Sequence, residues 1–234
     1  ADLPADLPVH RIEDAGMARQ MAAYCCHEVL RIHYRYDRYE LQQRERCWRE
    51  WPLVPPAERT IGLFGLGVLG AEVARSLLAL GFAVRGYTRS PRTLPGVQCF
   101  DERHGLEAFL SGCQVLILLA PLTSDTRDLF DARRLGWLPQ GASLINVARG
   151  ALVVDEHLLD ALDSGRLEGV TLDVFREEPL PASHRFWDHP RVRITPHIAA
   201  ITVVAESARQ VADKIALLES GGKPGGLIDR VRGY

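Results

Sequence analysis

The chain has 234 residues, of which 47% are apolar and 25% charged, enough apolar side chains to bury an ordinary domain core and too many for disorder or a collagen-like repeat. Lys and Arg number 28 against 30 Asp and Glu, a formal charge of −2, so no global attraction draws it to nucleic acid or an anionic membrane. The central apolar run, Val115 to Leu119 with Ala120 behind it, is the length of a strand and far short of a bilayer span.

Residues 1–16 carry Pro4 and Pro8 and a short apolar stretch from Val9 to Ile12, read as a linker entering a strand. From Met17 to about Gln43 no Pro or Gly intervenes, and Ala22, Cys25, Cys26, Val29, Leu30 and Ile32 fall at helical spacing. That predicts one long helix. Arg35, Tyr36, Arg38, Tyr39, Arg44, Arg46, Trp48, Arg49 and Trp51 then mix bases with aromatics, but Asp37, Glu40, Glu45 and Glu50 interleave with them. A solvated helix or a subunit contact fits this pattern better than nucleic-acid stacking. Pro52, Pro55 and Pro56 mark a boundary. The five cysteines are odd in number and form no C-x-x-C pair, in keeping with a reducing cytoplasm, and the adjacent Cys25 and Cys26 are read as structural thiols. The chain starts at Ala1 with no charged-then-apolar signal pattern and is read as beginning inside a longer protein.

Beyond the prolines, strand-like runs alternate with helix-like runs. Strands are predicted near 60–65, 82–87, 97–100, 115–119, 142–147, 168–173 and 192–195, and helices near 68–80, 105–111, 126–136, 155–164 and 201–220. This alternation predicts an α/β fold, a Rossmann-type doubly wound sheet of mostly parallel strands.

The first predicted strand runs straight into Gly65-Leu-Gly67-Val68-Leu69-Gly70 and then an Ala- and Leu-rich helix. Gly65 permits the tight turn, Gly67 lets the backbone approach a pyrophosphate, and Gly70 lets the helix pack on the sheet with its N-terminus toward the phosphates. Between a strand and a helix this spacing is a specific dinucleotide signal. An NAD site places an acid about 20 residues on, at the end of the second strand, to bind the ribose hydroxyls. Here that stretch reads Tyr87-Thr88-Arg89-Ser90-Pro91-Arg92, and no acid lies between Glu72 and Asp101. Arg89, Ser90 and Arg92 are suited to a 2′-phosphate, so NADP(H) is favoured, with NAD(H) as the alternative.

Three later strand ends carry polar residues: Arg149 in Asn146-Val147-Ala148-Arg149-Gly150, Asp173 and Glu178 in Leu172-Asp173-Val-Phe-Arg-Glu-Glu178-Pro179, and His197 in Thr195-Pro196-His197. Ligands of an open α/β sheet bind outside the carboxyl ends of its strands, so Arg149, Asp173 and His197 are expected around one crevice. The other seven histidines, His10, His27, His33, His104, His157, His184 and His189, have no motif behind them and are read as surface or structural.

With these motifs the chain resembles the D-isomer-specific 2-hydroxyacid dehydrogenases. The glycine loop, the Leu119-Ala-Pro121-Leu122-Thr123 stretch with Thr126, and the NVARG, LDVFREEPLP and TPHIAA segments follow that family's order over about residues 60–200. The Arg89-Ser90 loop, the HRIEDAGM start and the tail ending Arg232-Gly233-Tyr234 look most like its glyoxylate/hydroxypyruvate reductase A branch.

The resemblance implies NADPH-dependent reduction of small 2-oxo acids such as glyoxylate and hydroxypyruvate. It makes His197 the proton donor, Glu178 the carboxylate that orients it and Arg149 the holder of the oxo acid. It makes Asp173 a ligand of the nicotinamide carboxamide and lines the cofactor with Pro121, Leu122, Thr126, Val147 and Ala148. It also implies that most of a second, flavodoxin-like lobe is missing at the N-terminus. Residues 1–16 are then the end of that substrate lobe and its linker. Residues 17–58 are a helix and dimerisation arm, 59–200 the dinucleotide-binding domain, and 201–234 a helix and tail returning toward the substrate lobe. A homodimer is expected, with neither nucleic acid nor membrane as partner. The alternatives are a nucleotide-sensing protein resembling a corepressor and a cofactor-binding fragment without turnover.

Overall fold

Seven short runs form seven strands: β1 (Thr60–Phe64), β2 (Ala83–Tyr87), β3 (Val97–Phe100), β4 (Val115–Leu118), β5 (Ala142–Asn146), β6 (Leu167–Leu172) and β7 (Val192–Ile194). The computed structural model describes residue 4 and residues 7–228; the tail motif ending Arg232-Gly233-Tyr234 lies outside the described residues. The strands make one sheet in the order β3-β2-β1-β4-β5-β6-β7, every neighbouring pair parallel. The order reverses between β1 and β4, which is the switch point of a doubly wound sheet.

Helices α1 (Met17–Tyr34) and α3 (Val68–Ala79) cover one face, and α4 (Leu106–Leu110), α5 (Ala132–Leu135) and α6 (Asp155–Asp163) cover the other. β4 shows the division residue by residue. Val115 and Ile117 join Met21, Val29, Val73 and Leu77 in one core, while Leu116 and Leu118 join Phe109, Leu135, Leu158 and Leu162 in the other. A strand covered on both faces needs apolar residues at every position, which is why β4 reads Val-Leu-Ile-Leu without alternation.

The strands predicted from residue 60 onward all form, but the stretch from Val9 to Ile12 makes only an isolated bridge between His10 and Leu227, and two predicted helices do not form as expected. The long helix from Met17 to Gln43 breaks at Arg35, which adopts left-handed backbone angles (φ 57°, ψ 41°) and separates α1 from α2 (Tyr36–Glu45). No Pro or Gly announces this break; tertiary contacts make it. Arg35 and Arg38 reach Glu168 of β6 at 3.4 and 2.8 Å, and with Arg49 they surround the Trp51 ring at 4.6–5.5 Å. Such contacts outweigh the small propensity cost of one non-helical residue. The predicted helix 126–136 shrinks to Ala132–Leu135, capped by Asp131, whose carboxylate accepts from the Arg134 amide at 2.8 Å. The backbone before it bonds elsewhere: Asp128 and Phe130 donate to Ala151 and Leu152, and Phe130 accepts from Val154.

Glu28 on α1 is wholly buried. Its carboxylate accepts from Thr171 Oγ1 and Arg193 Nε, both at 3.0 Å, tying α1 to β6 and β7. Replacing Glu28 with Ala strands a buried hydroxyl and breaks the ion pair, so Glu28→Ala is expected to destabilise by about 2–4 kcal/mol. An unchanged denaturant midpoint would show that this tie contributes nothing.

The last helix, α7 (Val204–Glu219), has no buried residue and leaves Val204, Val211, Ile215 and Leu218 exposed. Beyond it the chain returns to residues 9–13. Arg11 donates to Gly226 O at 2.9 Å, Ile228 donates to Val9 O at 2.8 Å, and the Gln210 amide bridges Glu13 O and the Glu13 amide.

Candidate active site

At the switch point β1 is followed by Gly65, whose φ of 112° only glycine adopts without strain. A Cβ there would lie 2.7 Å from the Ala120 amide that follows β4. A Cβ on Gly70 would overlap Gly65 O, so α3 closes onto the turn only because both residues lack one. Gly67, by contrast, has nothing within 4 Å of its Cβ position, and no side chain caps the α3 N-terminus. Its free N–H groups and positive helix end therefore face open space, as the pyrophosphate of a dinucleotide requires. Val68 is half exposed beside them, and Leu69 packs into the core.

Arg89 and Ser90 follow β2 on the same side, with Arg92 exposed beyond them. An Arg89 Nη lies 2.5 Å from Asp125 in the loop after β4. Asp101, the first acid after β2, is not free for a ribose: its buried carboxylate is gripped by Arg103 and His104. The Arg103 guanidinium is the main reason that its carboxyl is lowered to about 2. The residues present fit a phosphorylated dinucleotide.

Across the crevice the loop after β4 is tied by Thr126. Its hydroxyl donates to Pro121 O and accepts from the Thr123 amide, both at 2.8 Å. Leu122 packs against the core below, and Val147 and Ala148 are buried at the end of β5.

The three polar strand ends converge. His197 Nδ1 lies 2.7 Å from Glu178 Oε2, and Glu178 Oε1 accepts from the Phe175 amide at 2.9 Å. Partial burial raises the Glu178 carboxyl, but the hydrogen bonds from His197 and Phe175 and the charges of His197 and Arg149 outweigh it, so the net shift is downward. Asn146 fixes the turn that presents Arg149, donating to Arg149 O and accepting from the Ala148 amide at 3.0 and 3.1 Å. A Cβ on Gly150 would overlap Phe175 C, so its absence lets that turn press against the loop that carries Glu178. Arg176 holds the same loop by donating to Val153 O and pairing with Asp128.

His197 is a non-glycine residue at φ 56°, a left-handed conformation that costs about 1–2 kcal/mol and needs its surroundings to hold it. Asp173 supplies the hold. Its buried carboxylate accepts from Thr195 Oγ1 at 2.5 Å, from the Ile198 amide at 2.9 Å and from the Ala199 amide at 2.8 Å.

The sequence matches the D-isomer specific 2-hydroxyacid dehydrogenase, NAD binding domain over residues 26–199. The chain belongs to this family. It is therefore an NAD(P)-dependent oxidoreductase by descent. It is 48% identical to glyoxylate/hydroxypyruvate reductase A of Serratia proteamaculans (strain 568), over 99% of this chain and 74% of that protein. A D-isomer specific 2-hydroxyacid dehydrogenase from Xanthobacter autotrophicus Py2, solved in complex with NADPH and MES, superposes with a TM-score of 0.95. The two are 41% identical over 100% of this chain and 96% of that one. The NADPH-dependent glyoxylate/hydroxypyruvate reductase of Sinorhizobium meliloti, solved with NADP and sulfate, gives 0.94 at 38% identity, over 99% of this chain and 74% of that one.

Among the described residues no helix is long and apolar enough to cross a membrane, and no group of His, Cys, Asp and Glu could hold a metal ion. Asn146 and Arg176 were not among the site residues expected from the sequence. For Asn146 a signal existed, since it is an amide that follows Leu144 and Ile145 at the end of a strand.

Proposed function

We propose that the protein reduces small 2-oxo acids, glyoxylate and hydroxypyruvate, to 2-hydroxy acids with NADPH. The observation that carries this reading is the 2.7 Å pairing of His197 Nδ1 with Glu178 beside Arg149, outside the carboxyl ends of the strands. Nδ1 is engaged by a carboxylate, so the proton that leaves for substrate comes from Nε2. His197 must then start doubly protonated and end as the Nδ1–H tautomer. Arg149 holds the planar carboxylate of the oxo acid through paired hydrogen bonds. The imidazolium faces the carbonyl oxygen on which negative charge grows, stabilises that charge and donates its proton. When bound, the nicotinamide supplies the hydride. Glu178 keeps the ring oriented and favours its charged form.

The cofactor assignment draws on the absence of an available acid after β2, on Arg89 and Ser90 there, and on the NADPH and NADP complexes of the Xanthobacter and Sinorhizobium relatives. Arg92 would add a second cation at the 2′-phosphate, and Asp173 would lie behind the nicotinamide end. Arg89→Ala is expected to weaken NADPH binding about 10- to 100-fold, the loss of a charge-assisted hydrogen bond, and to leave NADH binding nearly unchanged. Titration of both cofactors by fluorescence decides it, and equal affinities in the unsubstituted protein would sink the assignment.

The division into the end of a substrate lobe (1–16), a dimerisation arm (17–58), a dinucleotide-binding domain (59–200) and a returning helix and tail (201–234) is part of the same proposal. The fully exposed Trp48 and the exposed Leu53 of the arm favour a homodimer. The exposed apolar side of α7 suits contact with a substrate lobe. The five free thiols agree with a cytoplasmic setting.

A further inference from the structure

Gln20, Tyr24 and Glu28 stand four residues apart on α1 and so share one helix face. Each reaches the segment around His197. Gln20 donates to Ile201 O at 2.9 Å and accepts from the Ile201 amide at 3.2 Å. Glu28 holds Arg193. Between them the Tyr24 hydroxyl lies 2.6 Å from Thr195 Oγ1. Thr195 has one hydroxyl proton and gives it to the Asp173 carboxylate, so Tyr24 must be the donor and Thr195 the acceptor.

We propose that Tyr24 is a positioning residue for the His197–Glu178 pair, acting through Thr195 and Asp173. Asp173 grips the His197 loop on both sides, at Thr195 before it and at the Ile198 and Ala199 amides after it. That grip holds His197 at its left-handed φ. The Thr195 side of it depends on a hydroxyl that can rotate, and the Tyr24 proton fixes the rotation by occupying the acceptor lone pair. Burial, with Asp173 and Glu28 assisting against the Thr195 bond and Arg193, pushes the Tyr24 phenol up to about 12, which keeps the donor proton in place across the working range. The charged groups that act on Tyr24 are Asp173, Glu28 and Arg193, and those that act on Glu178 are His197 and Arg149. Without Tyr24, Thr195 can turn away, the loop loosens and the imidazole no longer stays within bonding distance of Glu178.

This proposal rests on the reading of His197 as proton donor, and its test separates the two. Tyr24→Phe is expected to lower kcat for oxo-acid reduction about three- to tenfold, the effect of one hydrogen bond, with KM for NADPH unchanged. The alkaline fall of kcat/KM should move to lower pH. Thr195→Val should produce the same changes, the double variant should be no slower than Thr195→Val alone, and Thr195→Ser should keep more of the rate than Thr195→Val. If Tyr24→Phe does not fold, as judged by its thermal midpoint, the two Thr195 variants carry the test. Titration of the His197 ring by NMR needs no turnover, and it should shift to lower pH in Tyr24→Phe. A protein that binds NADPH but reduces no oxo acid would refute the proposed function and leave the titration to decide on Tyr24. An unmoved titration in a folded Tyr24→Phe, or rate losses that simply add, would overturn the proposal.

Discussion

His197→Asn is expected to lower kcat for glyoxylate reduction by about 10²–10⁴-fold, the range of a positioned general acid, while the dissociation constant of NADPH stays within about twofold. The split follows from where the ring sits. Nδ1 faces Glu178, and the dinucleotide cradle is built by Gly65, Gly67 and Gly70 after β1, which β4, β5 and β6 separate from the β7 end that carries His197. Asparagine tolerates φ 56° at least as well as histidine, so the Asp173 grip on Thr195, Ile198 and Ala199 survives the substitution and the loop is not lost with the ring. Stopped-flow measurement of hydride transfer, with parallel cofactor titration, checks both halves. A variant retaining a tenth of the rate would place proton donation elsewhere. A variant that lost NADPH binding would tie the histidine to the cofactor rather than to the substrate.

How much of this was legible beforehand depends on the range of the interaction. The strands were: a strand covered on both faces demands an unbroken apolar run, and Val115–Leu118 can be little else, while the flanking strands, which admit Arg85, Gln98, Glu168 and Arg193, show as short runs alternating with helical ones. The glycine loop was, because a positive φ at Gly65 and the closure of α3 on Gly70 are local requirements. His197, Glu178 and Arg149 were legible as motifs at strand ends, but their convergence was not, because 19 residues separate His197 from Glu178 and no spacing encodes the distance between them. The break at Arg35 was hidden for a similar reason. Its cause lies in Glu168 and Trp51, distant in sequence. The α1 face was half visible: Gln20, Tyr24 and Glu28 fall at helical spacing among apolar neighbours, yet their targets at residues 193–201 appear only once the helix is laid across β6 and β7.

Glu178→Gln tests the other half of the pair, and its expected effect is a fall of about 10²–10⁴-fold in reduction at neutral pH, comparable to losing the orienting carboxylate of a catalytic histidine elsewhere. Oε1 accepts from the Phe175 amide, so in the variant the amide oxygen stays there and the NH₂ group turns toward His197 Nδ1. Two donors then face each other whenever the ring is doubly protonated, and the neutral tautomer with its proton on Nε2 is favoured instead. That tautomer is a poor acid. In the unsubstituted protein the Glu178 carboxyl lies below the ordinary carboxylate range, so the anion is complete throughout neutral and mildly acidic pH, and the stability it contributes is present above that range and lost as pH falls through the lowered value. The alkaline fall of kcat/KM should therefore come at lower pH in Glu178→Gln, and the stability difference between the two proteins should narrow in strong acid. An unshifted rate profile, with the variant folded and binding NADPH, would mean that Glu178 does not hold the proton on His197.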